Sequence, residues 1–319
     1  MRATKVCVLG GSGFVGTRLC AALARRGYRT TVPTRHAERA RHLRVIPAVR
    51  VLECDIHDAA LLGRTIAGHD AVVNLVGTSS DRGRRGAEFR RVHEDLVRKL
   101  VAACREKRID RLLHVSALNA DADHGPSRYL RSKGRGERIV REEGAADLRW
   151  TVVRPSVIFG PGDALVTHLA GILRRVPVAL PLARPEVRLA PVWVGDVAEA
   201  LMTCLSDDDS AGECYELCGP EILTMRAVAL RVRDELRLRR AIVGLPDFVA
   251  RIQAGLMGVL PGATNSTDNF LSLTVDSVCA RDGFARLGLR PRSLDALLPD
   301  IVLQSDRSPL GRLRRTARR

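Results

Sequence analysis

Aromatic residues are scarce: two Trp, three Tyr and six Phe make up 3% of 319 residues. Without aromatics interleaved among its basic residues the chain has no stacking platform for unpaired bases, so nucleic acid is not expected as a partner. It also lacks any apolar run near the roughly eighteen residues of a membrane span. Too few residues precede the first apolar run for a signal peptide, so a cytoplasmic location is expected. The eight cysteines (Cys7, Cys20, Cys54, Cys104, Cys204, Cys214, Cys218 and Cys279) show neither C-x-x-C nor Cys/His spacing, and no metal site is expected. They read as small buried hydrophobes in a reducing compartment, with no disulfide suggested. There is no internal repeat.

Charge of one sign is in excess, with 52 Lys and Arg against 36 Asp and Glu, a net +16. Residues 307–319 hold six arginines and no carboxylate. Such a balance favours anionic partners, although an arginine-rich coding bias yields the same composition.

The organising stretch is Val6-Cys7-Val8-Leu9-Gly10-Gly11-Ser12-Gly13-Phe14-Val15-Gly16. An apolar strand that turns through three spaced glycines into a helix brings backbone N–H groups and a positive helix end to a pyrophosphate. A second strand over residues 29–34 closes a βαβ unit of about thirty residues, the context this motif requires. Strand and helix then keep alternating, with strands over 49–54, 71–77, 111–118 and 150–155 and amphipathic helices between them. The fold class is α/β, a Rossmann-type doubly wound parallel sheet with a smaller C-terminal α+β substrate lobe. Residues 1–158 and 189–210 are assigned to the dinucleotide-binding domain, 159–188 and 211–305 to the small lobe, and 306–319 to a basic tail.

Tyr129 and Lys133 stand four apart on one helix face. A phenol titrates near pH 10, and a neighbouring ammonium is expected to lower that value and make the pair an acid/base device. Ser116, at the end of a strand, is placed where parallel sheets present ligand-facing residues, and could hold a carbonyl or alcohol opposite the phenol.

Gly10, Gly13 and Gly16, Asp55, Asn74 to Gly77, Ser116, the Tyr129 and Lys133 pair, Arg154-Pro155 and Gly160-Pro161-Gly162-Asp163 together resemble the extended short-chain dehydrogenase/reductase superfamily, with its NAD-dependent epimerases and dehydratases. His114-Val115-Ser116-Ala117-Leu118, the Ser127 to Lys133 segment, Val153 to Asp163 and Pro191-Val192-Trp193-Val194-Gly195-Asp196-Val197-Ala198 more narrowly resemble an atypical subgroup. It contains the accessory subunit of respiratory complex I and its bacterial relatives. The resemblance implies that Gly10, Gly13 and Gly16 receive the pyrophosphate, with Ser12, Phe14 and Val15 of the same turn in the cofactor site. Asp55 and Ile56 receive the adenine, and Leu75, Val76 and Gly77 line the site. Tyr129 is the acid/base, Lys133 holds the nicotinamide ribose, Ser116 orients the reacting oxygen, and Pro155, Ser156, Val157 and Ile158 flank the nicotinamide. His93 stands where extended members carry the Asn of the catalytic tetrad, and does not reproduce an amide's geometry.

The second strand ends in Thr34-Arg35-His36, with Arg39 and Arg41 following, where an acidic residue would select NAD. A guanidinium suits a 2′-phosphate, so NADP(H) is favoured over NAD(H), with Arg35 as the contact. Two functions are open: an NADP(H)-dependent oxidoreductase or epimerase/dehydratase-like enzyme acting on a small molecule the sequence does not name, or a nucleotide-binding accessory protein of respiratory complex I. The second would meet the respiratory chain or the cytoplasmic face of an anionic inner membrane through an apolar helix at 247–260 and the 307–319 tail.

Overall fold

The computed structural model describes residues 4–79, 81, 86–144, 148–246 and 267–306. The 247–260 segment and the 307–319 tail lie outside the described residues. In chain order the elements are β1 (Lys5–Leu9), α1 (Phe14–Arg25), β2 (Arg29–Thr34), a 3₁₀ segment (Ala37–Leu43), β3 (Val49–Glu53), α2 (Ala59–Ile66) and β4 (Ala71–Asn74). A short helix α3 (Ala87–Arg90) runs through a π turn (Arg91–Asp95) into α4 (Leu96–Glu106), followed by β5 (Arg111–Val115), α5 (Arg128–Glu143) and β6 (Arg149–Pro155). Then come β7 (Ile158–Phe159), α6 (Val166–Leu173), β8 (Ala179–Leu182), β9 (Arg188–Leu189), β10 (Val192–Trp193), α7 (Val194–Ser206), β11 (Glu213–Leu217), β12 (Leu223–Thr224), α8 (Met225–Glu235) and β13 (Ala241–Gly244).

Seven strands form one parallel sheet in the order β11-β6-β5-β4-β1-β2-β3. The order reverses between β1 and β4, the crevice where such sheets bind ligands beyond their strand ends. Central strands are apolar on both faces because both are covered: Val6, Cys7, Val8 and Leu9 are all at 0% exposure. Cys7 and Leu9 pack with Leu62, Leu96, Leu100 and Val140 of α2, α4 and α5. Burial of each such leucine contributes on the order of 2 kcal/mol. Asp58 caps α2 by accepting the Leu61 N–H at 2.9 Å, and Ser127 caps α5 by accepting that of Leu130 at 3.1 Å; each satisfies one otherwise unpaired donor of a first turn.

The chain divides into two compact units, one drawing on Met1–Pro155, Gly195–Leu217 and Ala280–Leu289, the other on Ser156–Val194, Cys218–Cys279 and Arg290–Arg319. This boundary differs from the expected one. β11 lies in the first unit because it pairs in parallel with β6, Tyr215 opposite Val153. The Ala280–Leu289 segment joins it: Glu216 accepts the Ala280 N–H at 2.7 Å, and the Arg286 guanidinium stacks 4.6 Å from the Tyr215 ring centre. In the second unit Leu169, Leu173, Val228, Val232, Leu298 and Ile301 bring α6, α8 and the Leu294–Asp306 helix around a core of their own.

The cysteine expectation needs correcting. Cys7, Cys20, Cys104 and Cys204 are free and buried, as expected. Cys218 and Cys279, however, are bonded, with Cα atoms 5.9 Å apart. They are the first and last residues of the Cys218–Cys279 excursion, the stretch between two parts of the first unit. The bridge therefore closes that excursion at its base. Loop-closure entropy over a sequence separation of 61 residues corresponds to roughly 4 kcal/mol. Cys218→Ser is expected to lower the stability of the second unit by an amount of that order, measured by urea unfolding, and dithiothreitol should lower wild type to the same level while leaving the variant unchanged.

Candidate functional site

The β1–α1 turn is built by contacts that leave no room for side chains. Gly10 has φ +76°, and a Cβ there would lie 3.0 Å from the Leu75 carbonyl carbon. A Cβ on Gly16 would lie 2.4 Å from the Gly10 oxygen, so α1 starts directly against the turn. Gly13 is the N-cap and offers no side-chain cap; the first N–H groups of a 12-residue helix are thus left to a ligand or solvent. These features fit the pyrophosphate of a dinucleotide.

From this turn a cleft of about 630 Å³ runs over the ends of β1, β2, β3 and β4. Gly10, Ser12, Arg35, Ile56, Val76 and Gly77, all expected in the cofactor site, line it. Phe14 and Val15 open α1 and are half-buried. Leu75 follows β4, its N–H donating to the Leu9 oxygen at 2.9 Å. Asp55 is exposed, and its carboxylate accepts the His57 N–H at 3.0 Å; Ile56 supplies the apolar wall. Pro155 ends β6 in the first unit, whereas Ser156, Val157 and Ile158 belong to the second. There Ser156 Oγ is 2.9 Å from the Ser277 carbonyl oxygen. His57, Glu88 and Arg91 also line the cleft; sequence reading missed them because His57 follows β3 while Glu88 and Arg91 lie on the continuous α3 and π-turn stretch, and only the fold brings the two together.

The groups expected to react are set by close helix packing. Gly136 of α5 lets the helix touch the π turn, since a Cβ there would lie 2.2 Å from the His93 oxygen. Lys133 is buried and its Nζ donates to the Val115 carbonyl at 2.7 Å. Burial lowers its pKa to about 8, against the opposing pull of Glu137, itself held by Arg154 at 2.9 Å. Tyr129 behaves contrary to expectation: burial pushes its phenol up to about 12, and desolvation outweighs any help from the cation four residues on. Ser116 Oγ, on a residue with 3% exposure, has no hydrogen-bond partner among the described residues. Such an orphan hydroxyl fits a residue that awaits a reacting oxygen.

His93 is 2% exposed, stacked at 5.7 Å on Phe89 and edge-on to Tyr129. The Thr78 N–H donates to its Nε2 at 3.1 Å, so the ring proton sits on Nδ1 and is donated to Ser132 Oγ at 2.8 Å. The Ser132 hydroxyl donates to the Tyr129 carbonyl at 2.7 Å. Burial, then the charge of Lys133, lowers the His93 pKa to about 2. The ring is therefore a neutral bridge offering one donor and one acceptor, as an amide does, and it does not relay protons by ionising. His114 is the second buried imidazole. Asn74 Oδ1 accepts the Val76 N–H at 3.1 Å, which leaves the Asn74 amide to donate to His114 Nδ1 at 3.1 Å, and burial lowers the His114 pKa to about 3.

Comparison with known proteins places this geometry in a wider setting. The family model described as NAD dependent epimerase/dehydratase family matches residues 6–218. The 40 kDa subunit of mitochondrial NADH-ubiquinone oxidoreductase from Neurospora crassa is 30% identical over 253 residues, 78% of this chain and 65% of that protein. A ceramide reductase from Caulobacter vibrioides is 34% identical over 197 residues, 62% of this chain and 59% of that one. The chain thus spans less than two thirds of either relative's length. Among solved structures, the UDP-glucose 4-epimerase of Thermus thermophilus in complex with NAD superposes with a TM-score of 0.65 at 21% identity, covering 85% of this chain and 99% of that one.

Two histidines held neutral give stability a defined pH dependence. Their folded pKa values, about 2 for His93 and about 3 for His114, lie below the unfolded value. The unfolded chain therefore takes up protons first, and their contribution is whole above about pH 6.5 and lost as pH falls. Each adds about 1.4 kcal/mol per pH unit to the loss of unfolding free energy between about pH 6 and 3. His93→Asn is expected to remove about one proton from this slope in urea titrations at stepped pH.

Proposed function

The chain belongs to the NAD dependent epimerase/dehydratase family, and from that premise we propose that it is an NADP(H)-dependent reductase of a small-molecule carbonyl, with Tyr129 as the acid. The observation that carries this is the orphan Ser116 hydroxyl, one residue beyond the carbonyl that Lys133 holds. A bound nicotinamide would supply the hydride. Ser116 donates to the carbonyl oxygen and fixes its place. Tyr129, with its pKa pushed up to about 12, carries its proton at neutral pH, the state from which a general acid serves carbonyl reduction. Lys133, still largely protonated with a pKa near 8, supplies the cation that the resulting phenolate needs, and His93 with Ser132 holds the start of α5 in place.

NADP(H) is favoured because Arg35 lines the cleft beyond β2 and no carboxylate takes that position. The Caulobacter relative's name, a reductase, supports the reductase reading. A second reading is supported by the Neurospora relative, a subunit of a respiratory oxidoreductase, and by a tetrad position rebuilt as a structural bridge: a nucleotide-binding accessory protein of respiratory complex I, peripheral at the membrane. Among the described residues no helix is long and apolar enough to cross a membrane.

Tyr129→Phe separates the two. With NADPH and a panel of aldehydes and ketones, the reductase reading expects a loss of rate of roughly 10²- to 10⁴-fold with NADPH affinity unchanged within about twofold. If wild type reduces no member of the panel and Tyr129→Phe cells keep respiratory complex I activity, the accessory reading stands in its place. Arg35→Gln should weaken NADPH binding about tenfold and leave NADH unaffected, read by nicotinamide fluorescence.

A further inference from the structure

The edge of the sheet opposite the cofactor cleft carries positive charge that its own surroundings do not balance. Lys5, Arg29 and Arg50 lie at the starts of β1, β2 and β3, the length of a strand, roughly 17 Å, from the ends that form the cleft. Together they line a separate hollow of about 570 Å³. Lys5 is in register with Arg29, and Arg50 with Thr31. Residues two apart on a strand share a face, so all three basic side chains leave the same face of the sheet. Like charges placed opposite each other on neighbouring strands are destabilising.

The floor of the hollow is uncharged. His69 Nδ1–H donates to the Ile66 carbonyl at 3.1 Å, and its Nε2 accepts the Thr31 hydroxyl at 2.8 Å; this uses both nitrogens of a neutral ring. No carboxylate is among the lining residues, and none of the three cations is in an ion pair among the described residues. Two countercharges lie close by. Asp70 Oδ2 accepts the Thr4 and Lys5 backbone N–H groups at 2.7 and 2.8 Å and interacts with the charge of Lys5. The C-terminal end of α2, which leads into the hollow at Ala67 and Gly68, supplies about half a negative charge. Three cations exceed both together.

We propose that this hollow is a second anion site, separate from the cofactor cleft, which takes a phosphate-bearing ligand on Arg29 and Arg50 with Lys5 beside them. A phosphate monoester carries about −1.5 to −2 at neutral pH, enough to offset the excess. Each guanidinium can give it two parallel charge-assisted hydrogen bonds. Cations spread over three strands span about 10 Å, which suits two linked phosphates better than one. The site depends on neither the NADP(H) reading nor the choice between reductase and accessory protein.

The test is calorimetric titration of inorganic pyrophosphate into the full chain, with NADPH and NADH in excess so that the cofactor cleft is filled. A second arm measures co-sedimentation with phosphatidylcholine vesicles with and without phosphatidic acid, which presents the same group as a lipid headgroup. Arg29→Gln and Arg50→Gln are each expected to weaken binding about tenfold. Arg98→Gln, which removes an exposed arginine of α4, should leave it within about twofold. Dinucleotide affinity should stay within about twofold in all three, and Arg29→Gln without ligand should be no less stable in urea than wild type, since a like-charge pair is relieved. Pyrophosphate binding with this pattern supports a soluble ligand. A flat pyrophosphate titration, with the same pattern on phosphatidic acid vesicles, supports a headgroup. Wild type that binds in neither arm, or an Arg98→Gln loss as large as that of Arg29→Gln, overturns the site. Binding of hexaglutamate where both phosphate arms are silent overturns the ligand class.

Discussion

Everything at the ligand end of the sheet depends on backbone touching backbone at Gly10 and Gly16. The carbonyl of Gly10 lies where a Cβ on Gly16 would have to go, and the Leu75–Val76 peptide lies where one on Gly10 would. With no side chains in between, the end of β1, the start of α1 and the exit of β4 are locked into one surface. The uncapped helix start and Gly77 are placed by that surface. Gly77 in turn connects the cleft to the reacting groups: a Cβ on it would sit 3.6 Å from His93 Nε2 and 3.9 Å from Lys133 Nζ. One steric constraint at the glycine turn therefore propagates to the ammonium through the β4 exit.

His93 carries the same rigidity to α5. An asparagine at this place offers a carbonyl and an N–H on one short side chain; neutral imidazole offers the same pair on opposite sides of a ring. The ring is larger, and the surroundings accommodate it. The π turn widens the helix where the ring leaves it, Phe89 stacks on it, and Gly136 lets α5 approach its backbone. Burial then keeps it neutral, since an imidazolium beside Lys133 would place two cations out of water. The imidazole is thus absorbed structurally at this place.

How much of this was legible in the sequence follows from how local each signal is. The glycine turn, the alternation of strands and helices, and the Tyr129–Lys133 face are set within a few residues, and the parallel sheet and the cleft formed around them. The place of β11 was not legible, because an edge strand's partner is chosen by the whole sheet. Nor was the Cys218–Cys279 bond, whose halves are separated by 61 residues. The Tyr129 pKa was misjudged for a different reason. A cation four residues away suggests a lowered phenol, but spacing says nothing about how much water the phenol keeps, and here desolvation decides. Arg91, Glu88 and His57 escaped because a helical ion pair and a histidine after β3 come to line one cleft only in the folded sheet.

The two ends of the site follow opposite electrostatic rules. Near Lys133 desolvation weakens charge: His93 and His114 are neutral, the phenol holds its proton, and the ammonium is weakened, while the buried Glu137 is paired with Arg154. Near Arg91 the groups are partly exposed and charge is retained, with the Arg91 and Glu88 side chains 45% and 29% exposed. Charge at the exposed end costs little to keep and is felt by a ligand from a distance of about a Debye length, so it suits capture. Its absence at the buried end lowers the cost of seating an apolar ring and a neutral carbonyl. On the reductase reading proposed above, negative charge developing on a substrate oxygen would meet the Lys133 ammonium and the Ser116 hydroxyl, groups that would favour the transition state more than the ground state, which is the requirement for catalysis rather than binding.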